Sequence, residues 1–423
     1  MDTSPFRNRE GFFCLEKRLD RNEPPHDRVT IGGNHVSVNM AADQMGKSTT
    51  MRCQKEVWVL EKDLLLMKEL TETAGPPGFE VRIHEVMRKH LADLQAELIT
   101  DNLGSIVGKK GDSGPKILLA AHLDEVAFLI THITDDGFLR FLPLGGWWGH
   151  VMLAQRVKVL TGSGDLTGVI GSKAPHVLSL EERRNVLEID NMFIDIGASS
   201  REEAEKFGVQ VGDPAVPVCP FEVLPNPKLL LAKAWDNRAG CYLALKVMEQ
   251  IQQETLSNTV YAGATVQEEV GLRGAETLAH KISPDIAFAL DVGVAGDTPG
   301  MAQKDGRTRL GKGPLLGFLD RTMIPHLKLR NFVIETAREH NIPFQIDVMP
   351  GGGTDAGKIH TAYNGIPSMV IGVPARYIHS HVSVVHRDDL DHAVKLLVAL
   401  LKKLDAAAVQ SIKGLGPNDP ARQ

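Results

Sequence analysis

The feature that most constrains this chain is a set of unbroken apolar, strand-forming runs: 116-KILLAA-121, 259-TVYAGATV-266, 286-IAFAL-290 and 368-SMVIGV-373. A strand wet on one face alternates apolar and polar residues, whereas an unbroken run belongs to a strand covered on both faces. Helical patterns separate these runs. One amphipathic stretch carries Ile83, Met87, Leu91 and Leu94; others cover about 237–253, 274-GAETLAHKI-282, 322-TMIPHLKLRNFVIETAREH-340 and 389-DLDHAVKLLVALLKKL-404. Strands alternating with helices predict an α/β fold, a mixed and mostly parallel sheet sandwiched by helices.

The rhythm changes between residues 127 and 231. Short β-like pieces with Gly and Pro punctuation, such as 156-RVKVLTG-162, 167-TGVIGS-172 and 192-MFIDIG-197, surround one clear helix near 200-SREEAEKFG-208. An inserted β-rich domain at 127–231 is expected, splitting the α/β domain into 57–126 and 232–410. Residues 1–56 are polar and irregular and read as a flexible N-terminal extension, and 411–423 as a C-terminal tail. Within the extension, 45-MGKST-49 has the end of a phosphate-binding loop, but Ala41 stands where that motif requires glycine.

Length and charge narrow the function classes. With 423 residues and a net charge of −6, the chain shows no basic footprint for nucleic acid and no dense Lys/Arg run for a membrane surface. No apolar run reaches spanning length. Cys14, Cys53, Cys219 and Cys241 are scattered without a CxxC pair, which argues against a disulfide framework and for a reducing, cytoplasmic setting.

Metal-capable residues cluster at the predicted strand ends. His122 and Asp124 follow one strand, Glu268 and Glu269 another, Asp291 ends a third, and 376-RYIHSH-381 follows the fourth with His379. Asp236 stands at the mouth of a helix in 234-AWDNRAG-240. Ligands of open parallel sheets gather beyond the carboxyl ends of the strands. Oxygen and imidazole donors suit two divalent cations, zinc or cobalt first and manganese also. Neighbouring residues of an extended segment face opposite ways, so Glu269 can be a ligand while Glu268 acts as a base. Asp124 can accept the ring N–H of His122 and fix its tautomer.

Each residue also has a plainer explanation. Asp236 fits a helix N-cap, the Glu268–Glu269 pair a solvated turn, and Gly351–Gly353 a tight turn. His381 and His386 rival His379 on spacing alone.

Taken together, 121-AHLDE-125, 235-WDNRAG-240, 267-QEEVGLRGA-275, Asp291, 351-GGGTDA-356 and 376-RYIHS-380 resemble the dinuclear-metal aminopeptidases related to glutamyl aminopeptidase and the tetrahedral (TET) aminopeptidases. The likeness covers roughly residues 62–405, including 145-GGWW-148 and 192-MFIDIGASS-200 in the inserted part; the N-terminal extension is the departure. It implies a zinc-exopeptidase-like fold and removal of N-terminal residues from short peptides. His122, Asp236 and Asp291 would hold one metal and Asp236, Glu269 and His379 the other. Glu268 would be the general base and Asp124 the orienting acid. It also implies dimers, built partly through the inserted domain, that assemble into a dodecamer. A related two-metal deacylase or carboxypeptidase is the nearest alternative reading, and an endoglucanase-type glycoside hydrolase a more distant one.

Overall fold

The computed structural model describes residues 28–31, 34–37, 61–301 and 308–414, and the chain divides into two compact units, Met1–Val59 and Leu60–Gln423. In the first, Arg28–Ile31 pairs antiparallel with Asn34–Ser37, so part of the segment read as irregular is a two-stranded element. The rest of the 1–56 extension, 45-MGKST-49 included, and residues 415–423 of the tail lie outside the described residues.

At the centre of the larger unit Ser368–Arg376, Ile286–Ala289, Lys116–His122 and Thr259–Thr265 lie side by side and parallel. Ile106–Lys110 and then Glu97–Thr100 extend the sheet antiparallel on one side, while Leu315–Leu319 and Ser383–His386 pair antiparallel with Ser368–Arg376 on the other. Both faces of the central strands are covered, as their sequence predicts. Ile117, Leu119 and Ala121 pack into one core with Trp235, Phe288 and Leu396, whereas Leu118 and Ala120 pack into another with Ala275, Leu278 and Ile282. This period of two with apolar residues at every position produces the unbroken runs.

The helix Trp235–Ile251 sits hard against this sheet. A Cβ at Gly240 would lie 2.3 Å from the Leu290 carbonyl oxygen and 2.9 Å from the Ala121 Cβ, so only glycine allows the approach. The helix start is thereby pinned beside the ends of two strands.

The inserted region is a closed antiparallel barrel whose strands run in the order Phe193–Asp195, Leu139–Leu144, Ala127–Ile133, Pro214–Pro217, Arg156–Thr161 and Gly164–Gly171. Phe128, Ile130, Phe141, Val157, Val159, Ile170 and Ile194 form its interior. Its chain departs directly after 122-HLDE-125 and returns at Leu229–Ala232, just ahead of Asp236.

Two helical segments differ from the sequence reading. The expected helix 322–340 begins only at Leu327, because Pro325 disfavours helical backbone at Ile324 and Asp320 draws the Thr322 amide into a turn at 2.6 Å. Beyond residue 404 an unexpected helix, Ala406–Lys413, starts where the Asp405 side chain accepts from the Ala408 amide at 2.8 Å.

Candidate metal centre

The parallel register brings the strand ends to one level. Thr265 pairs with His122, the Leu123 amide bonds the Thr265 carbonyl at 2.9 Å, and the Leu290 amide bonds the Ala120 carbonyl at 2.7 Å. Side chains following these ends therefore converge, and His122, Asp124, Glu268 and Asp291 are all buried there.

Asp236 lies at the centre of the cluster. Its Oδ1 is 3.2 Å from His122 Nε2 and its Oδ2 is 3.4 Å from His379 Nε2, so its two oxygens face two different imidazoles. Asp291 Oδ1 and Glu268 Oε2 lie 3.8 Å and 3.9 Å from His122 Nε2, and Glu269 Oε2 lies 3.6 Å from His379 Nε2. Donor atoms of His122, Glu268 and Asp291 fall within 4.8 Å of one another, as do those of His122, Asp236 and Glu269. Glu269 Oε1 is buried with no hydrogen-bond partner. Oxygen and imidazole donors at these separations, with one carboxylate oxygen left over, fit a pair of divalent cations.

Local backbone aims these groups. Ala234 has φ +55°, and Asp236 and Asn237 are non-helical within the helix, their shared peptide being cis. Asn237, not Asp236, caps the helical turn, with its Oδ1 accepting from the Gly240 amide at 2.9 Å. Asp236 is left to face the imidazoles. The His379 Nδ1 donates to the Gly146 carbonyl at 2.7 Å and the His122 Nδ1 to the Asp124 carbonyl at 3.0 Å, so each ring turns Nε2 toward the cluster. Gly146 belongs to 145-GGWW-148, which lies beside the site; a Cβ at Gly145, φ +85°, would come within 2.9 Å of Glu269 Oε2.

Two details depart from the sequence reading. The Asp124 carboxylate is 3.6 Å from the His122 ring nitrogen, which is satisfied by the backbone carbonyl; its oxygens instead accept from the amides of Glu268 and Glu269, each at 3.0 Å. Glu268 and Glu269 occupy a turn rather than an extended segment. The strand stops at Thr265, Gln267 has φ +57°, and the Gly271 and Leu272 amides both bond the Glu268 carbonyl.

The rival histidines lie elsewhere. His381 packs against Trp147 and Phe128, and burial pushes its pKa down to about 4. His386 caps the helix Arg387–Lys403 by accepting from the Asp388 amide at 3.2 Å.

Sequence reasoning missed two buried carboxylates near the cluster. Asp355 Oδ2 is 2.5 Å from the Thr265 hydroxyl, and burial raises its pKa to about 7; its place in 351-GGGTDA-356 was the available signal. Glu80 accepts from the Gln267 amide at 3.0 Å, and burial raises it to about 7 as well. Its own stretch, 75-GPPGFE-80, reads only as a turn before a helix. The buried set of Glu125, Lys233 and Arg238 also went unread; Arg238 Nε donates to the Leu123 carbonyl at 2.9 Å, bracing the loop between His122 and Asp124.

Protons and cations compete for this centre. Burial, with the Asp236 charge added, pushes Glu269 up to about 8, and burial likewise lifts Glu268 and Asp291. Burial opposes charge on the imidazoles, yet the surrounding carboxylates prevail and raise both, His379 to about 10. Asp236 moves the other way: burial would raise it, but the two imidazoles hold it below the usual range. Cations taken up by Glu269 and His379 would displace protons from both. Apparent affinity is expected to fall about tenfold or more per unit as pH drops below 8. Calorimetric titration in buffers of different ionisation enthalpy measures the release, and binding heats independent of buffer would contradict it.

The sequence pattern of the M42 glutamyl aminopeptidase family matches residues 104–396. The glutamyl aminopeptidase of Lactococcus lactis subsp. cremoris is 38% identical over 354 residues, covering 82% of this chain and 98% of that protein. Among solved structures, a TET aminopeptidase from a marine sediment Thaumarchaeota archaeon superposes with TM-score 0.82 at 45% identity, covering 84% of this chain and 99% of its own. The Pyrococcus horikoshii TET1 peptidase, described as able to assemble into a tetrahedron or a large octahedral shell, gives TM-score 0.73 at 36% identity, covering 81% and 100%.

Proposed function

We propose, on the premise that this chain belongs to the M42 glutamyl aminopeptidase family, that His122, Asp236 and Asp291 hold one divalent cation and Asp236, Glu269 and His379 a second. The protein is a metal-dependent aminopeptidase. The observation that carries the division is the split of Asp236, one oxygen toward each imidazole.

When bound, the cations would polarise the scissile carbonyl and acidify water. Glu268 would take a proton from the attacking water and return it to the leaving amine. Its desolvated carboxyl, with a raised proton affinity, suits both halves of the transfer. Asp124 holds the amides of Glu268 and Glu269, keeping base and ligand in register.

The amine-end reading is supported by the relatives, whose family and individual descriptions are those of aminopeptidases. The buried cations Lys233 and Arg238 are both engaged with Glu125 and so are not free to take a substrate's terminal carboxylate. Zinc or cobalt is the preferred pair, with manganese accepted by the same donors. From the likeness to the P. horikoshii enzyme, which is also described as a dodecamer, self-association to a dodecamer is proposed, with the barrel contributing contacts; light scattering reads it. No helix among the described residues is long and apolar enough to cross a membrane, and a cytoplasmic location is proposed.

Chelation tests the reading. EDTA is expected to abolish release of anilide from an aminoacyl-anilide panel, and Zn²⁺ or Co²⁺ to restore it, with no reducing sugar liberated from cello-oligosaccharides. Full peptidase activity in protein verified as metal-free would overturn it.

A further inference from the structure

The turn bearing Glu268 and Glu269 is suspended by three successive backbone amides, each accepted by a buried carboxylate. Asp124 takes those of Glu268 and Glu269, and Glu80 Oε1 takes that of Gln267 at 3.0 Å. Gln267 is the residue where the chain swings from strand to turn. Its φ of +57° places it in the left-handed region, which a side chain resists and the surroundings must enforce.

The Glu80 side chain does not serve its own helix. The residue immediately precedes Val81–Asp93, yet its side chain makes no capping bond there. Its Oε1 instead accepts both the Gly78 amide, at 2.8 Å, and the Gln267 amide, joining the 75–80 loop to the turn through one buried oxygen. Gly75 ties the same loop to the His122–Asp124 side, with its amide donating to Glu125 Oε1 at 3.1 Å.

We propose that Glu80 is a positioning residue for hydrolysis: it fixes the first amide of the 267–269 turn and so sets the reach of Glu268 and Glu269 into the centre. The proposal rests on the assignment of Glu268 as base and Glu269 as ligand. What the turn requires from Glu80 is an acceptor at one place. Both partners are neutral amides, so an uncharged carbonyl serves equally.

That requirement separates the variants. Glu80→Gln retains the acceptor, Glu80→Ala removes it, and Glu80→Asp keeps the charge but withdraws the oxygen by one methylene. The alanine and aspartate variants are expected to lose about tenfold or more in kcat with KM within about threefold of the parent, since small misplacements of reacting groups act on turnover. Their Co²⁺-substituted forms should show a shifted visible absorption band as Glu269 moves. The glutamine variant should match the parent within about twofold in kcat, with an unshifted band. Glu80→Asp covers the case in which alanine fails to fold. Parental kcat and spectrum in Glu80→Ala and Glu80→Asp would overturn the proposal, as would a Glu80→Gln variant as impaired as they are. Glu268→Gln, assayed in parallel, reports on the base assignment by itself.

Discussion

Glu268→Gln is expected to keep both cations and lower kcat by roughly 10²- to 10⁴-fold, the range that a positioned general base supplies. The amide has nearly the shape of the carboxylate but cannot take a proton. Its backbone amide would still donate to Asp124 Oδ1, so the turn and Glu269 should hold their places. KM should change little, because the lost interaction belongs to the transition state. The measurement is steady-state kinetics beside elemental analysis of the purified variant. Geometry makes this substitution decisive, since Glu268 Oε2 approaches His122 Nε2 about as closely as Asp291 Oδ1 does, 3.9 Å against 3.8 Å. A ligand role for Glu268 would show as loss of one cation. Retention of both cations with near-parental kcat would remove it from the chemistry.

The part of the site legible in the sequence is the part written by strand ends. A parallel strand buried on both faces leaves an apolar run, and the first polar residue after it marks where cover stops and the crevice begins. His122 and Asp291 stand at that first polar position, whereas Glu268 follows Gln267 by one residue and His379 follows Arg376 by three. Asp236 was harder, because a carboxylate ahead of a helix looks like a cap; only the structure shows Asn237 taking that task. Glu80 had no local signal. What makes it matter is a bond to an amide 187 residues away, and no window of sequence encodes that pairing. The barrel was visible as a class of segment, but not as a closed sheet. Closure depends on Phe193–Asp195 pairing with both Leu139–Leu144 and Gly164–Gly171, a matter of long-range register. The late helix start at Leu327 follows from Pro325, a local signal overridden in the reading by the apolar periodicity around it.

The second large effect is expected at Asp236. Replacement by alanine should reduce bound metal from two ions to at most one and lower activity by roughly 10³-fold or more, because the two-cation arrangement loses its shared ligand. Replacement by asparagine is the sharper experiment. It preserves side-chain shape and leaves Asn237 to cap the helix, but presents one acceptor and one NH₂ donor where two acceptors faced His122 and His379 at 3.2 Å and 3.4 Å. One half of the centre must then meet a donor. Asp236→Asn is therefore expected to bind one cation well and the other weakly, read as two separated steps in a Co²⁺ titration where the parent shows two comparable ones. Asp291→Ala, which lacks a position between the imidazoles, should lose only the cation on the His122 side. If Asp236→Asn instead bound both ions with parental affinity and turned over peptide normally, Asp236 would not be shared, and the centre would have to be rebuilt around Glu268 and Glu269 as its bridging pair.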